Sequence, residues 1–224
     1  MAAANTSFIQ KIQSLASVAG ISARTLQSRK WYIKKLQGMR NLNRKNLVKD
    51  PALRHDVYRP RIGRMYMYQY TAKYEDELLY YDKFPLILMV GPAGKNGFYG
   101  LNMHYLPYQV RAVFFDKLMD YANNDKFDET TKLKLSYNML KAATRLRAFA
   151  PCFKKYLFNQ LESRLAEVQP IDWEMALFLP TDQFVFQTRQ SVWRDSLAQI
   201  AGKIKNPQSI HTVRQAVTKP ARKV

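Results

Sequence analysis

Several groups of side chains in this sequence can do chemistry, and the spacing of each limits what that chemistry is. His104 stands in GLNMHYLP beside Asn102 and Tyr105, the one histidine between residues 65 and 196. Imidazole is the usual acid or base near neutral pH. With no Ser or Cys motif around it and no second histidine to share a metal, His104 is predicted to be structural, bonding backbone in a turn. Glu75, Asp76, Glu77 and Asp82 carry enough oxygens for a hard cation, but successive acids on an extended segment point in alternating directions. A solvated turn, or a docking patch for the cations of another copy, suits them better. Gly91-Pro92-Ala93-Gly94-Lys95 lacks the Ser or Thr and the helix start that a phosphate-binding loop needs, and runs instead into Asn96-Gly97. A hairpin turn is predicted there. The single Cys152 has no disulfide partner and sits in no metal-binding pattern. The chain is read as a non-enzyme with no catalytic residue, metal site or cofactor.

The cations are the remaining group. The net charge is +19, and its placement says more than its size. Residues 1 to 64 hold 14 Lys/Arg against Asp50 and Asp56, residues 65 to 196 hold 16 against 15, and residues 197 to 224 hold 6 against none. Basic extensions on a nearly neutral body serve to contact phosphate or acidic surfaces. The candidate contacts are Arg24, Arg29, Lys30, Lys34, Lys35, Arg40, Arg44, Lys45 and Lys49, spaced among Trp31, Tyr32 and several Asn, with Lys203, Lys205, Arg214, Lys219, Arg222 and Lys223 at the other end. No helix-turn-helix, finger or RNP motif organises them, so the binding they imply is salt-sensitive and indifferent to sequence. Double-stranded DNA and the acidic face of a protein neighbour both fit such a surface.

The elements that would carry these residues follow from periodicity. Phe8, Ile9, Ile12, Leu15 and Ala19 recur at helical spacing between a Ser7 cap and a Gly20 stop. A second helix runs from Ser22 through Leu36. Residues 38 to 64 have no sustained period and read as a linker or extended arm. MYMYQY at 65–70, the stretch from Tyr80 to Val90 and the one from Phe98 to Tyr105 read as strands of a small antiparallel sheet. Helices are predicted after Pro107 (with Val110, Val113, Phe114, Leu118 and Tyr121 as its apolar face), after Asp128 (with Leu133, Tyr137, Leu140 and Thr144), after Pro151 (with Phe153, Tyr156, Leu157, Leu161 and Leu165) and over 191–200. Periodicity leaves PIDWEMALFLP at 170–180 open between strand and helix. The expected fold class is α+β, an aromatic sheet followed by a helical C-terminal half. A basic helical arm occupies 1–64, a globular domain 65–196 and a basic tail 197–224. The opening MAAANTSFIQKIQSLASVAGIS shows no export signal, and no run approaches the roughly 18 apolar residues of a membrane span.

Long aromatic stretches in the centre carry a resemblance: YYDKFPL at 80–86, GFYGLNMHYLP at 97–107, PCFKKYL at 151–157, WEMALFLP at 173–180 and VWRDS at 192–196. Over residues 65 to 196 the chain resembles a family of small virion structural proteins of T4-like contractile-tailed bacteriophages. The resemblance implies a late virion component in a large assembly, made in the bacterial host cytoplasm, with other virion proteins as partners. A protein of the DNA end protector type, contacting packaged DNA, is the first assignment. A baseplate, neck or other tail component whose basic arms clamp acidic subunits is the alternative. YEDELL at 74–79 departs from the more basic, proline-containing form of the family.

Overall fold

In the computed structural model, residues 7–38, 42–57, 59–122, 138 and 149–202 are described. The helix predicted after Asp128 and the basic tail beyond residue 202 lie outside them. The aromatic run at 65–70 supplies a central strand. Among the described residues, β1 (Arg54–Val57), β2 (Met65–Met67), β4 (Leu86–Pro92), β5 (Gly97–Asn102), β6 (Phe153–Leu157) and β7 (Leu165–Val168) form one antiparallel sheet in the order β1-β7-β2-β4-β5-β6. The short strands β3 (Tyr81–Asp82) and β8 (Phe184–Val185) pair separately. Among the described residues six α-helices accompany them: α1 (Phe8–Val18), α2 (Leu26–Gln37), α3 (Arg44–Val48), α4 (Tyr108–Ala122), α5 (Trp173–Phe178) and α6 (Arg189–Ile200). The fold is α+β.

The sheet is apolar on both faces, which explains why its strands read as runs rather than as alternation. Met65 and Met67 pair with Leu88 and Leu86 and face the helices, in a core with Leu101, Phe115 and Trp173. Tyr66, Tyr68, Ile87, Met89, Phe98 and Tyr156 make a second cluster on the opposite face. There Tyr156 lies 5.0 Å from Tyr70, 5.5 Å from Tyr68 and 5.6 Å from Phe98, ring centre to ring centre.

Local chemistry sets the helix ends. Ser7 accepts from Gln10 N–H at the start of α1, and the carboxylate of Asp50 accepts from Ser7 Oγ at 2.5 Å and from Phe8 N–H at 2.7 Å. At its other end Gly20 takes φ 63°, its N–H reaches Ser17 O, and Ile21 N–H reaches Ala16 O, a Schellman closure. α2 begins later than predicted because Thr25, not Ser22, forms a capping box with Ser28.

Three expectations are corrected. Residues 151–168 form strands, not a helix: the free edge of β5 needs a partner for its peptide groups, and pairing Phe98 with Tyr156 seats that ring in the second cluster. The apolar spacing there matches a helix only by coincidence, and tertiary pairing overrides it. Residues 42–57 do not form a linker, since α3 buries Leu47 and Val48, Leu53 is buried just ahead of β1, and β1 pairs with β7. The buried face of α4 is Arg111, Ala112, Phe114, Phe115 and Leu118, leaving Val113 56% exposed; the stripe is rotated because Arg111 is drawn inward by backbone carbonyls. The undecided segment at 170–180 is α5, preceded by a 3-10 turn over Pro170–Asp172, and all six of its residues are buried.

Residues 8–38 and 42–53 do not stand apart from this core. Ile9, Ile12, Leu36, Leu47, Val48 and Leu53 pack in the same apolar cluster as Met65, Leu86 and Trp173. Each such side chain contributes about 1.5–3 kcal/mol through burial.

Candidate nucleic-acid interface

The predicted cations divide into two kinds. Arg24, Arg29 and Arg44 hold the basic segment to the rest of the protein. Arg24 sits at φ 63°, its N–H donating to Glu174 Oε2 at 2.8 Å, while Ser28 Oγ donates to Oε1 of the same carboxylate at 2.7 Å. Arg29 forms an ion pair with Asp116 on α4. Arg44 Nε donates to the Thr181 carbonyl at 3.1 Å and its Nη2 to that of Asp182 at 3.3 Å. Tyr32 stacks on Phe178 of α5, and burial, then the nearby Glu174, pushes its phenol pKa up.

Lys30, Lys34, Lys35, Lys45 and Lys49 are exposed and have no ion pair among the described residues. Lys30 and Lys34 stand one turn apart on α2 and flank a shallow groove of about 440 Å³ floored by Ile21, Leu26 and Trp31. Like charges at this spacing weaken a helix by a few tenths of a kcal/mol, so the pair has no structural rationale. Lysines on an exposed face suit phosphate oxygens as point charges, without base readout. Lys45 and Lys49 form a second set at α3. Arg40 and the cations from Lys203 to Lys223 lie outside the described residues.

The other chemistry-bearing groups are internal. Asp82 from β3, His104 from the turn after β5 and Thr181 after α5 form a chain: His104 Nδ1 is 2.7 Å from Asp82 Oδ2, and Thr181 Oγ1 is 3.0 Å from His104 Nε2. Asn102 Nδ2 donates to the same Asp82 oxygen at 3.1 Å, and the N–H groups of Phe84 and Gln183 donate to the other. Burial alone would raise the Asp82 pKa, but His104 and the backbone and Asn102 donors outweigh it and hold it below the usual carboxylate value. The order of groups is that of a nucleophile, a base and an orienting acid. All three residues are nevertheless sealed, at 0–3% exposure, so what the chain of bonds does is pin β3 to the segments around 104 and 181. His104 is structural, though it bonds side chains rather than a turn backbone through its ring. The acids around it disperse: Glu75, Asp76 and Glu77 form a 3-10 turn while Asp82 points inward. Gly91 to Gly97 is a hairpin turn, closed by Ala93 N–H to Gly97 O at 2.9 Å.

Two cations escaped the sequence reading. Arg111 is fully buried, donating from Nε, Nη1 and Nη2 to the carbonyls of Leu106, Leu177 and His104 at 2.6, 2.8 and 3.2 Å, between the rings of Tyr108 and Trp193. Burial lowers its pKa to about 10, which leaves it charged at neutral pH. The signal was available: a lone Arg inside the apolar stretch VRAVFF, flanked by bulky rings. Lys154 is half-buried on β6, with Nζ 4.3 Å from the ring centre of Tyr105; reading 151–168 as a helix hid it.

Among the described residues, no helix is long and apolar enough to cross a membrane, and no cluster of three or more His, Cys, Asp or Glu is placed to hold a metal ion. A comparison with curated proteins matched none, and a comparison with solved structures likewise matched none. A family model described as phage T4 terminal DNA protecting protein matches residues 4–198. That match extends well ahead of the aromatic stretches at 65–196, taking in the lysine-bearing helices as well as the sheet. The chain belongs to the phage T4 terminal DNA protecting protein family.

Proposed function

We propose that this protein is a virion component of a T4-like phage that sits on a terminus of the packaged genome, contacting DNA without an enzymatic step of its own. The observation that carries the reading is the family match over residues 4–198. The exposed Lys30, Lys34, Lys35, Lys45 and Lys49 are the residues assigned to DNA phosphate, together with Arg40 and the cations from Lys203 onward. Arg24, Arg29 and Arg44 fasten the basic segment instead. The basic region before residue 64 acts in this reading as a docked surface of the domain, and the tail from 197 as an extension of it. Exposed Val18, Leu26 and Ile171, at 86, 72 and 85%, are apolar side chains available to neighbouring virion proteins.

The test is a salt-titrated binding assay on duplex DNA, joined to an exonuclease challenge of a linear duplex. Replacing Lys30, Lys34 and Lys35 with Gln is expected to reduce the steepness of log K against log salt by about 2–3, roughly 0.9 per lost phosphate contact. The same variant is expected to shorten the lifetime of the duplex end. An unchanged slope with unchanged end protection overturns the assignment of these lysines.

A further inference from the structure

The outer rim of β6 opens on a cleft of about 480 Å³ walled by Tyr74, Tyr105 and Tyr156, with Lys73 and Lys154 along it. Lys154 lies over the face of Tyr105, and among the described residues it has no carboxylate partner and no hydrogen-bond acceptor. Burial lowers its pKa to about 8, against a smaller opposing effect of Cys152. The Asp82 carboxylate at the floor is already committed to His104, Asn102 and two peptide N–H groups. At the mouth, Lys73 Nζ stands 4.9 Å from the ring centre of Tyr74, which is 57% exposed.

A recessed ammonium without a counter-ion favours an anion, because only a charged acceptor compensates its lost hydration. The exposed ring of Tyr74 at the mouth favours a planar ring, since base stacking on such a face is strong and tolerant of base identity. The volume falls within the range of small-ligand sites, and a duplex is too wide to enter. One ligand combines a phosphate, a planar ring and this size. We propose that the cleft takes the terminal nucleotide of a DNA strand, its phosphate on Lys154 and its base against the exposed ring of Tyr74 at the mouth. This rests on the DNA-end reading above and gives it a second, separate contact.

The experiment is fluorescence anisotropy with labelled pentathymidylate, bearing a terminal phosphate or lacking it, alongside closed circular duplex, which has no ends. The phosphorylated strand is expected to bind the intact protein at least about tenfold more tightly than the unphosphorylated one. Lys154→Met and Tyr74→Ala are each expected to cost about tenfold on it while leaving circular duplex binding unchanged, and Lys154→Arg to retain binding. Tyr74 is exposed, so its variant keeps the fold and serves where Lys154→Met does not. Equal binding of the two strands, or no loss in Tyr74→Ala, overturns the cleft. Binding of the circle without the strand also overturns the cleft and leaves the lysine surface standing. Binding of the strand without the circle supports the cleft and removes the lysine surface.

Discussion

Asp82 is a carboxylate with donors from three segments converging on it, of which Asn102 Nδ2 also reaches the Tyr156 hydroxyl at 3.1 Å. Asp82→Asn is expected to lower stability by about 3 kcal/mol, the order seen when one partner of a buried charged network is removed, as read by urea unfolding at pH 7. The sign with pH follows from its depressed pKa: the contribution is present above the unfolded value near 3.8 and is lost as pH falls through the lower folded value. Wild type therefore loses stability on acidification below about pH 4, and the difference between it and Asp82→Asn narrows there. Lys154 runs the other way. Its folded pKa of about 8 lies below the usual 10.5, so between those values the unfolded chain holds a proton that the native protein has released, and this group makes stability rise with pH. Below pH 8 the charge is a cost, and Lys154→Met is expected to be more stable than wild type at pH 7 by about 1–3 kcal/mol. The gain shrinks as pH rises through 8. Cys152, pushed up to about 12 by burial, opposes from pH 9 upward, so the clean window for the measurement is pH 7–9. A lysine that weakens the fold where it sits is what a ligand-binding role looks like from the stability side.

Strand β6 shows how little of an element can be visible in its own residues. Its pairing with β5 depends on Gly97, where a Cβ would run into the Tyr156 carbonyl oxygen. Gly97→Ala is expected to cost about 2–3 kcal/mol and to detach β6, read as faster amide exchange from 153 to 157. Similarly, Asp50→Ala is expected to cost about 1–2 kcal/mol by freeing the first turn of α1, with loss of exchange protection confined to residues 8–18. The elements legible in the sequence were those whose signals are local. Ser7, Gly20 and the 8–19 periodicity define α1, and Asn96-Gly97 with its apolar flanks defines the β4–β5 hairpin; the last helix, expected over 191–200, begins two residues earlier, at Arg189 after the Thr188 cap. What was hidden needed distant partners. β6 and β7 exist because β5 and β2 have edges to fill, β1 exists because β7 does, and Asp50 caps a helix 43 residues away. The candidate site was half legible for the same reason: composition located the basic segment, but only packing tells the arginines that fasten it from the lysines that remain outward.

Because Ile9, Ile12, Leu36, Leu47, Val48 and Leu53 belong to the one core, the stretch 65–196 made alone is expected not to fold cooperatively. Thermal unfolding of that fragment beside a piece covering 7–202 checks this, the longer piece giving a sharp transition. The strand order carries one more consequence. Among the described residues β7 lies between β1 and β2 and is the only strand that pairs with β1, yet it is among the last parts of the sheet to leave the ribosome. The nascent chain must hold β1 and one flank of β2 unpaired while roughly a hundred further residues are made, on the order of 5–20 s of synthesis. Assembly of the sheet is thus timed by translation, and a newly made molecule becomes competent to meet its partners only when nearly complete.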